Sequence, residues 1–177
     1  MIRSTCVGLA ILAFAGAAVA DEDNGPALVD LFAKTCARRP ALPSDIARLA
    51  TGLGFVGDGT VTAEMERGPQ IDILYIARLA KAERNVSMTA YFAGPVEGPT
   101  VICTLSTAGV SAEALPRLIE TSLNARDRTE TAGTDTNQRK ASWHVGAAGD
   151  GDTLDLSAWR TSPQRASVTI TYRGAKR

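Results

Sequence analysis

Cysteines are the side chains whose chemistry this sequence constrains best. The chain of 177 residues contains three of them, Cys6, Cys36 and Cys103. Cys6 lies in an N-terminal segment typical of an export signal, so an exported chain would keep Cys36 and Cys103. An even cysteine count in an oxidising compartment predicts a disulfide. The two positions are 67 apart, whereas the cysteines of a redox pair typically have only two residues between them, so we expect a structural bridge. Two buried free thiols are the alternative.

The first 20 residues have the organisation of a secretory signal peptide. Arg3 supplies the basic start, residues 7–15 are apolar, and small residues lead to Ala20. We expect cleavage after Ala20. A membrane anchor is the alternative, but the uncharged stretch is short for a membrane span. The mature chain, 21–177, would have 157 residues, 18 basic and 19 acidic. It has no other long apolar run, so we expect no transmembrane segment in it.

Histidine and the acidic residues form no recognisable catalytic or metal-binding motif. His144 is the only histidine, and one histidine without a cysteine cluster does not predict a zinc site. No G-x-S-x-G motif is present, and no pair of carboxylates has a glycosidase-like context. We therefore predict no catalytic residue, no cofactor and no metal, and we expect His144 to be an exposed residue of a strand.

Two glycine-rich segments resemble ligand loops only superficially. Gly52 to Gly57 matches G-x-G-x-x-G, but a dinucleotide site must follow a strand and open a helix. Here the motif follows a predicted helix and leads into a turn, so helix termination is the better interpretation. Residues 149–155 contain three aspartates, yet the twelfth position counted from Asp150 is Thr161 rather than the glutamate that an EF-hand needs. A hairpin turn is the simpler interpretation.

The two tryptophans support one binding hypothesis. Trp143 and Trp159 both fall in predicted strands near the C-terminus, where packing in the core is the ordinary role of a tryptophan. If both lie on a sheet face that no helix covers, they form an exposed aromatic patch of the kind that marks binding sites. His144 and Arg160 are their sequence neighbours and would complete this candidate patch.

Three helices are predicted to cover one face of a sheet. Apolar residues at helical spacing indicate a first helix from Pro26 to before Pro40, a second from Ser44 to Leu53, and a third ending at Leu123. The third begins at Ser111 or, because proline is unfavourable inside a helix, only at Pro116. Cys36 lies on the apolar stripe of the first helix.

About six strands are predicted from period-two alternation. They cover roughly 71–79, 86–92, 101–106, 141–145, 153–159 and 166–173, and a helix through 71–82 is the competing interpretation of the first. Residues 21–25 are expected to be a mobile leader, and the polar residues 126–140 a surface loop. The order α-α-β-β-β-α-β-β-β predicts a single α+β domain with an antiparallel sheet and helices on one face. Cys103 would face the core, so the disulfide would fix the first helix against the sheet.

Composition narrows the function without identifying it. The balanced charge lacks the basic excess of a typical nucleic-acid binder. Twenty-nine alanines, with 15 arginines against four lysines, indicate a GC-rich bacterial source and hence a periplasmic or secreted protein. We expect an exported, monomeric, non-catalytic protein that binds an envelope protein or a small ligand through its surface. The alternatives are a small exported hydrolase with an unrecognised site and a secreted inhibitor or immunity-like protein that uses the 126–140 segment.

Overall fold

The computed structural model of the chain has an α+β fold. It describes residues 23–38, 43–61, 76–81, 85–93, 100–133, 136–145, 152–161 and 164–173. These contain three helices, α1 (Gly25–Lys34), α2 (Pro43–Gly52) and α3 (Leu115–Leu123), and eight strands, β1 (Val56–Val61), β2 (Ile76–Lys81), β3 (Val86–Ala93), β4 (Thr100–Ala108), β5 (Arg126–Ala132), β6 (Gln138–His144), β7 (Thr153–Trp159) and β8 (Arg165–Tyr172). The predicted class is confirmed, but the sheet has eight strands rather than about six.

All eight strands form one antiparallel sheet in the order β1-β2-β3-β4-β8-β7-β6-β5. Each half of the chain is therefore a helical segment followed by a four-stranded meander. The two meanders join at their last strands, β4 and β8, which become the centre of the sheet. Helix α3 connects the end of β4 at the centre to β5 at one edge, and it also packs against α1.

Strict alternation of buried and accessible residues gives the sheet two different faces. In β4 and β8 every second residue is buried, so one strand face is apolar and the other polar. The buried faces and the apolar sides of the helices share one core, whose largest members include Trp143, Phe32, Leu28 and Ile46. The helices therefore cover one face, as the sequence predicts. Among the described residues, none of the helices has the length and hydropathy to cross a membrane.

The disulfide between Cys36 and Cys103 is present, with 5.5 Å between the two Cα atoms. Helix α1 ends at Lys34, earlier than the sequence indicates, and Cys36 lies in the turn that follows it. Cys103 is in the middle of β4, on the buried face, and both cysteines are fully buried. The bridge therefore ties the end of α1 to a central strand, as expected.

Residues 126–140 are not a loop, which corrects the sequence-based prediction. They contain β5, the turn at Thr136–Asn137 and the first residues of β6. Strand β5 is the edge of the sheet, and residues 126–131 are all exposed. An edge strand without a buried face needs no apolar alternation, and charged residues on it discourage pairing with other chains. The polar composition of this segment therefore gave no alternating pattern from which β5 could be predicted.

The remaining differences concern short segments. β1 is the other edge strand, extends from Val56 to Val61, and is not among the six predicted strands. Of the ambiguous segment 71–82, residues 76–81 form β2, while 71–75 and 82 lie outside the described residues. The proposed leader is described only from Asp23. There its side-chain Oδ1 accepts hydrogen bonds from the backbone of Gly25 and Ser111, so this part is anchored rather than mobile. The proposed signal peptide lies outside the described residues.

Candidate functional site

The face of the sheet that no helix covers is lined with hydroxyl groups. We call it the open face. In β3, β4, β7 and β8 its residues include Ser87, Thr89, Thr104, Ser106, Thr153, Ser157, Ser167, Thr169 and Thr171. The strand register brings many of them into rows, because residues directly opposite each other on paired strands lie on the same face. Tyr91, Ile102, Asp155 and Trp159 are on the same face, but most open-face residues of these four strands are small and polar.

Two pairs of hydroxyls bond across the central strands. Thr104 and Thr169 share a hydrogen bond of 2.9 Å between their Oγ1 atoms, and Ser106 and Ser167 share one of 2.9 Å between their Oγ atoms. Each hydroxyl can donate one hydrogen bond and accept two. After forming such a pair, these groups retain acceptor capacity toward a ligand on the open face.

A depression of about 350 Å³ lies at one end of the open face. It is formed where β3 and β8 begin and β4 and β7 end. The side chains that give it chemical character are Asn85, Ser87, Ser106, Trp159, Arg165 and Ser167. We call it the Trp159 pocket. Its volume is near the lower limit of the range typical of small-molecule sites, about 300–1,000 Å³.

Three polar side chains of the Trp159 pocket are not used in internal contacts. Within the described parts of the chain, no carboxylate is in ion-pair distance of Arg165, and neither the Asn85 amide nor the Trp159 Nε1–H has a hydrogen-bond partner. Asn85 occupies the left-handed backbone region at φ 48°, which asparagine tolerates better than most residues. An indole, a guanidinium and an amide thus converge on one depression with hydrogen-bonding capacity to spare.

The four residues of the predicted patch do not form one surface. Trp143 is on the helix-covered face and only 1% exposed, whereas Trp159 is on the open face and partly buried. The aromatic patch required both tryptophans on the sheet face that no helix covers, and only Trp159 lies there. His144 is exposed on the open face, but it pairs with Thr153 at the opposite end of β7 from Trp159. At about 3.3 Å per residue, roughly 20 Å separate those two ends.

Arg160 follows β7 and is engaged in an ion pair rather than in the pocket. Its Nε lies 2.9 Å from Oε1 of Glu113, and its backbone N–H donates to the carbonyl of Asn137 at 2.9 Å. Of the four predicted patch residues, only Trp159 lines the depression. Sequence reasoning missed Arg165, although it lies across the β7–β8 hairpin from Trp159. It also missed Asn85, which is near Trp159 only through the pairing of β7, β8, β4 and β3.

A serine and an aspartate are in contact elsewhere on the open face, and a histidine lies on the same face near them. The Ser142 hydroxyl donates to Oδ1 of Asp155 at 2.7 Å, and His144 is two residues further along β6 on the same face. In a Ser-His-Asp triad the imidazole lies between the other two groups and accepts the serine proton. Here the serine hydroxyl is bonded directly to the carboxylate, so this arrangement does not activate Ser142.

An ion-pair network joins α3 and its preceding turn to β5 and β6. Arg139 donates to Oε2 of Glu113 at 2.8 Å and to Oε1 of Glu130 at 2.7 Å. On the same side of the sheet, Glu120 lies 3.2 Å from Arg128 and accepts a 3.2 Å hydrogen bond from the Trp143 indole. These contacts give Trp143 a polar partner as well as a core position.

The hydrogen bond from Arg139 and its positive charge hold the pKa of Glu130 below its ordinary value. A general acid in hydrolysis needs a raised carboxyl pKa instead. Through Arg139 the network ties the turn before α3 to β5 and β6.

Neither glycine-rich motif forms a ligand loop in the described residues. Gly52 is the last residue of α2 and Gly54 follows it at φ +85°, so the G-x-G-x-x-G segment ends a helix and enters β1. Residues 149–151 of the 149–155 motif lie outside the described residues, and residues 152–155 lead into and begin β7. Where side chains are described, no three His, Cys, Asp or Glu residues are grouped closely enough to hold a metal ion.

No protein-family model matches this chain, and searches of the curated proteins and of the solved structures also find no match.

Proposed function

We propose that the protein is an exported, non-catalytic binding protein that acts in the cell envelope by holding a small polar ligand in the Trp159 pocket. The observation that carries this proposal is the convergence of Trp159, Arg165 and Asn85 on one depression while their polar groups have no partner among the described residues. Polar groups on a protein surface usually point in different directions. A concave site into which a few polar groups converge is the usual form of a ligand site.

The proposed export rests on the sequence of residues 1–20 and is supported by the disulfide. Bridges such as Cys36–Cys103 form and persist mainly in oxidising compartments. Secretion of the full chain from a Gram-negative bacterial host tests this part. We expect a periplasmic protein whose intact mass corresponds to residues 21–177, and a cytoplasmic protein that retains residue 1 would contradict it.

The residues that line the Trp159 pocket and the structure of segment 126–140 favour ligand binding over the hydrolase and inhibitor alternatives. The hydroxyls, amide, indole and guanidinium that line the pocket bind and orient ligands, and the pocket lining contains no carboxylate or imidazole among the described residues. The inhibitor hypothesis depended on a protruding loop at 126–140, and that segment contains β5 and the start of β6.

A sedimentation assay with isolated envelope material tests the binding function. The mature protein is mixed separately with membranes and with cell-wall material, and the fraction that pellets is measured. We expect retention of the wild type and at least about a tenfold loss for Trp159→Ala. Thr153→Ala, at the other end of the same face of β7, is the matched control and should be retained. Equal retention of Trp159→Ala and wild type, or no retention of any form, would overturn the proposal.

A further inference from the structure

The Trp159 pocket has the chemistry of a site for an acidic sugar. Resting on the binding function proposed above, we propose that its ligand is a carboxylate-bearing sugar ring, with the ring stacked on Trp159 and the carboxylate paired with Arg165.

Arg165 defines the charge of the ligand. It is exposed at the start of β8, opposite Ala108 of β4, and no described acidic residue lies within ion-pair distance of it. By contrast, Arg139 and Arg160, the arginine that follows Trp159, both contact Glu113. A guanidinium presents planar, paired donors that match a carboxylate. The unneutralised arginine therefore selects an anion.

Trp159 defines the shape of the ligand. Its partly buried indole lies beside a lining of small side chains, chiefly Ser87, Ser106 and Ser167. Apart from the indole, only alanines among the described lining residues are apolar. An aromatic or aliphatic ligand would therefore find little apolar surface, whereas a sugar ring has one C–H face for stacking and a rim of hydroxyls for hydrogen bonds.

Asn85 and the serines match that rim of hydroxyls. The exposed Asn85 amide offers donors and an acceptor, and Ser106 and Ser167 retain acceptor capacity beyond their mutual bond. The volume of about 350 Å³ suits a single ring held at the surface rather than an enclosed chain. A phosphate group is less suited, because it offers no ring for the indole.

Calorimetric titration of the mature protein with glucuronate, glucose and inorganic phosphate tests the inference. We expect glucuronate to bind about tenfold or more tightly than glucose, the usual size of a charge-assisted hydrogen-bond contribution, and more tightly than phosphate. Arg165→Gln should reduce glucuronate binding to the glucose level, and Trp159→Ala should weaken both sugars. Arg117→Gln, an exposed arginine on α3, is the matched control and should bind like wild type.

Fluorescence supplies a second readout with an internal reference. Glucuronate should quench the emission of Trp159 and leave the emission of the buried Trp143 unchanged. In the Trp159→Phe variant, where only Trp143 emits, glucuronate should therefore cause no quenching.

The inference is overturned if glucuronate binds no better than glucose or phosphate, or if Arg165→Gln binds it as well as wild type does. If envelope retention requires Trp159 and glucuronate fails to bind, the acidic-sugar assignment fails and the binding function stands. Glucuronate binding without envelope retention would confirm ligand binding in the Trp159 pocket and contradict the proposed action on envelope material.

Discussion

The Tyr172 hydroxyl donates a hydrogen bond of 2.6 Å to the backbone carbonyl of Cys36, and both residues are buried. The side chain of Cys36 is bonded to Cys103 in the neighbouring strand. The turn after α1 is thus held covalently by β4 and through a hydrogen bond by β8. Since β4 and β8 are the strands that join the two meanders, this point fixes the first helical segment on the seam between the halves of the fold.

Removal of the disulfide should destabilise the protein strongly. Closure of a loop of 67 positions reduces the entropy of the unfolded chain, and the chain-entropy relation gives about 4 kcal/mol for a loop of this length. The double variant Cys36→Ala/Cys103→Ala should therefore have a much lower urea midpoint than the oxidised wild type. Reduced wild type should show a similar loss. Two free thiols titrated in the native exported protein would contradict the disulfide itself.

The Tyr172 hydroxyl should have a measurable effect on stability of its own. Tyr172→Phe leaves the buried Cys36 carbonyl without this donor, a change that costs about 1–3 kcal/mol. Urea unfolding of the oxidised protein measures it. Thr171→Val, one residue earlier on the open face, is the matched control and should change the midpoint little. A phenylalanine variant as stable as wild type would show that the carbonyl finds another partner.

Patterns of buried residues could be predicted from the sequence because burial imposes alternation. β8 alternates Val168, Ile170 and Tyr172 with threonines, and its assignment is confirmed. β5 has no buried face, so its residues follow solvent exposure and not strand periodicity. Edge strands are therefore the elements that a period-based analysis is least able to find.

The candidate site was accessible to sequence reasoning only in part. Alternation correctly separates Trp143 from its neighbour His144, but it does not say which face of a strand the helices cover. Trp159 was recognised as a binding candidate from its residue type. Its partner Arg165 lies across the β7–β8 hairpin, so the register of two predicted neighbouring strands could have indicated it. Asn85 depends on the register across four strands, including the non-sequential pair β4 and β8, and no local pattern encodes that register.

The G-x-G-x-x-G segment offers a matched pair of glycine substitutions. Gly54→Ala should destabilise the protein by about 1–2 kcal/mol, because a Cβ is unfavourable at φ +85°. Gly52→Ala should stabilise it by about 0.5–1 kcal/mol, because Gly52 is helical and an added Cβ meets no atom within 4 Å. Thermal unfolding of both variants measures the difference. Equal effects at the two positions would contradict helix termination at Gly54.

The Glu130–Arg139 contact should make stability depend on pH on the acid side. The pKa of Glu130 is lowered in the folded protein, first by the Arg139 hydrogen bond and then by its charge. A carboxylate with a lowered folded pKa contributes stability above its unfolded pKa, about 4.3 for an ordinary glutamate. That contribution decreases as the pH falls through the lower, folded value. Protonation of Glu130 therefore weakens its ion pair with Arg139, which joins β5 to β6.

Comparison of Glu130→Gln with wild type isolates this contribution. The variant should be less stable than wild type near pH 7, and the difference between their urea midpoints should shrink as the pH is lowered below about 4.3. Asp127→Asn, an exposed carboxylate change on the same strand, controls for the loss of one negative charge. A difference between the two urea midpoints that stays constant as the pH falls would contradict a contribution from the ion pair with Arg139. A carboxylate that does not interact with Arg139 has the same pKa in the folded and unfolded protein, so its protonation does not change stability.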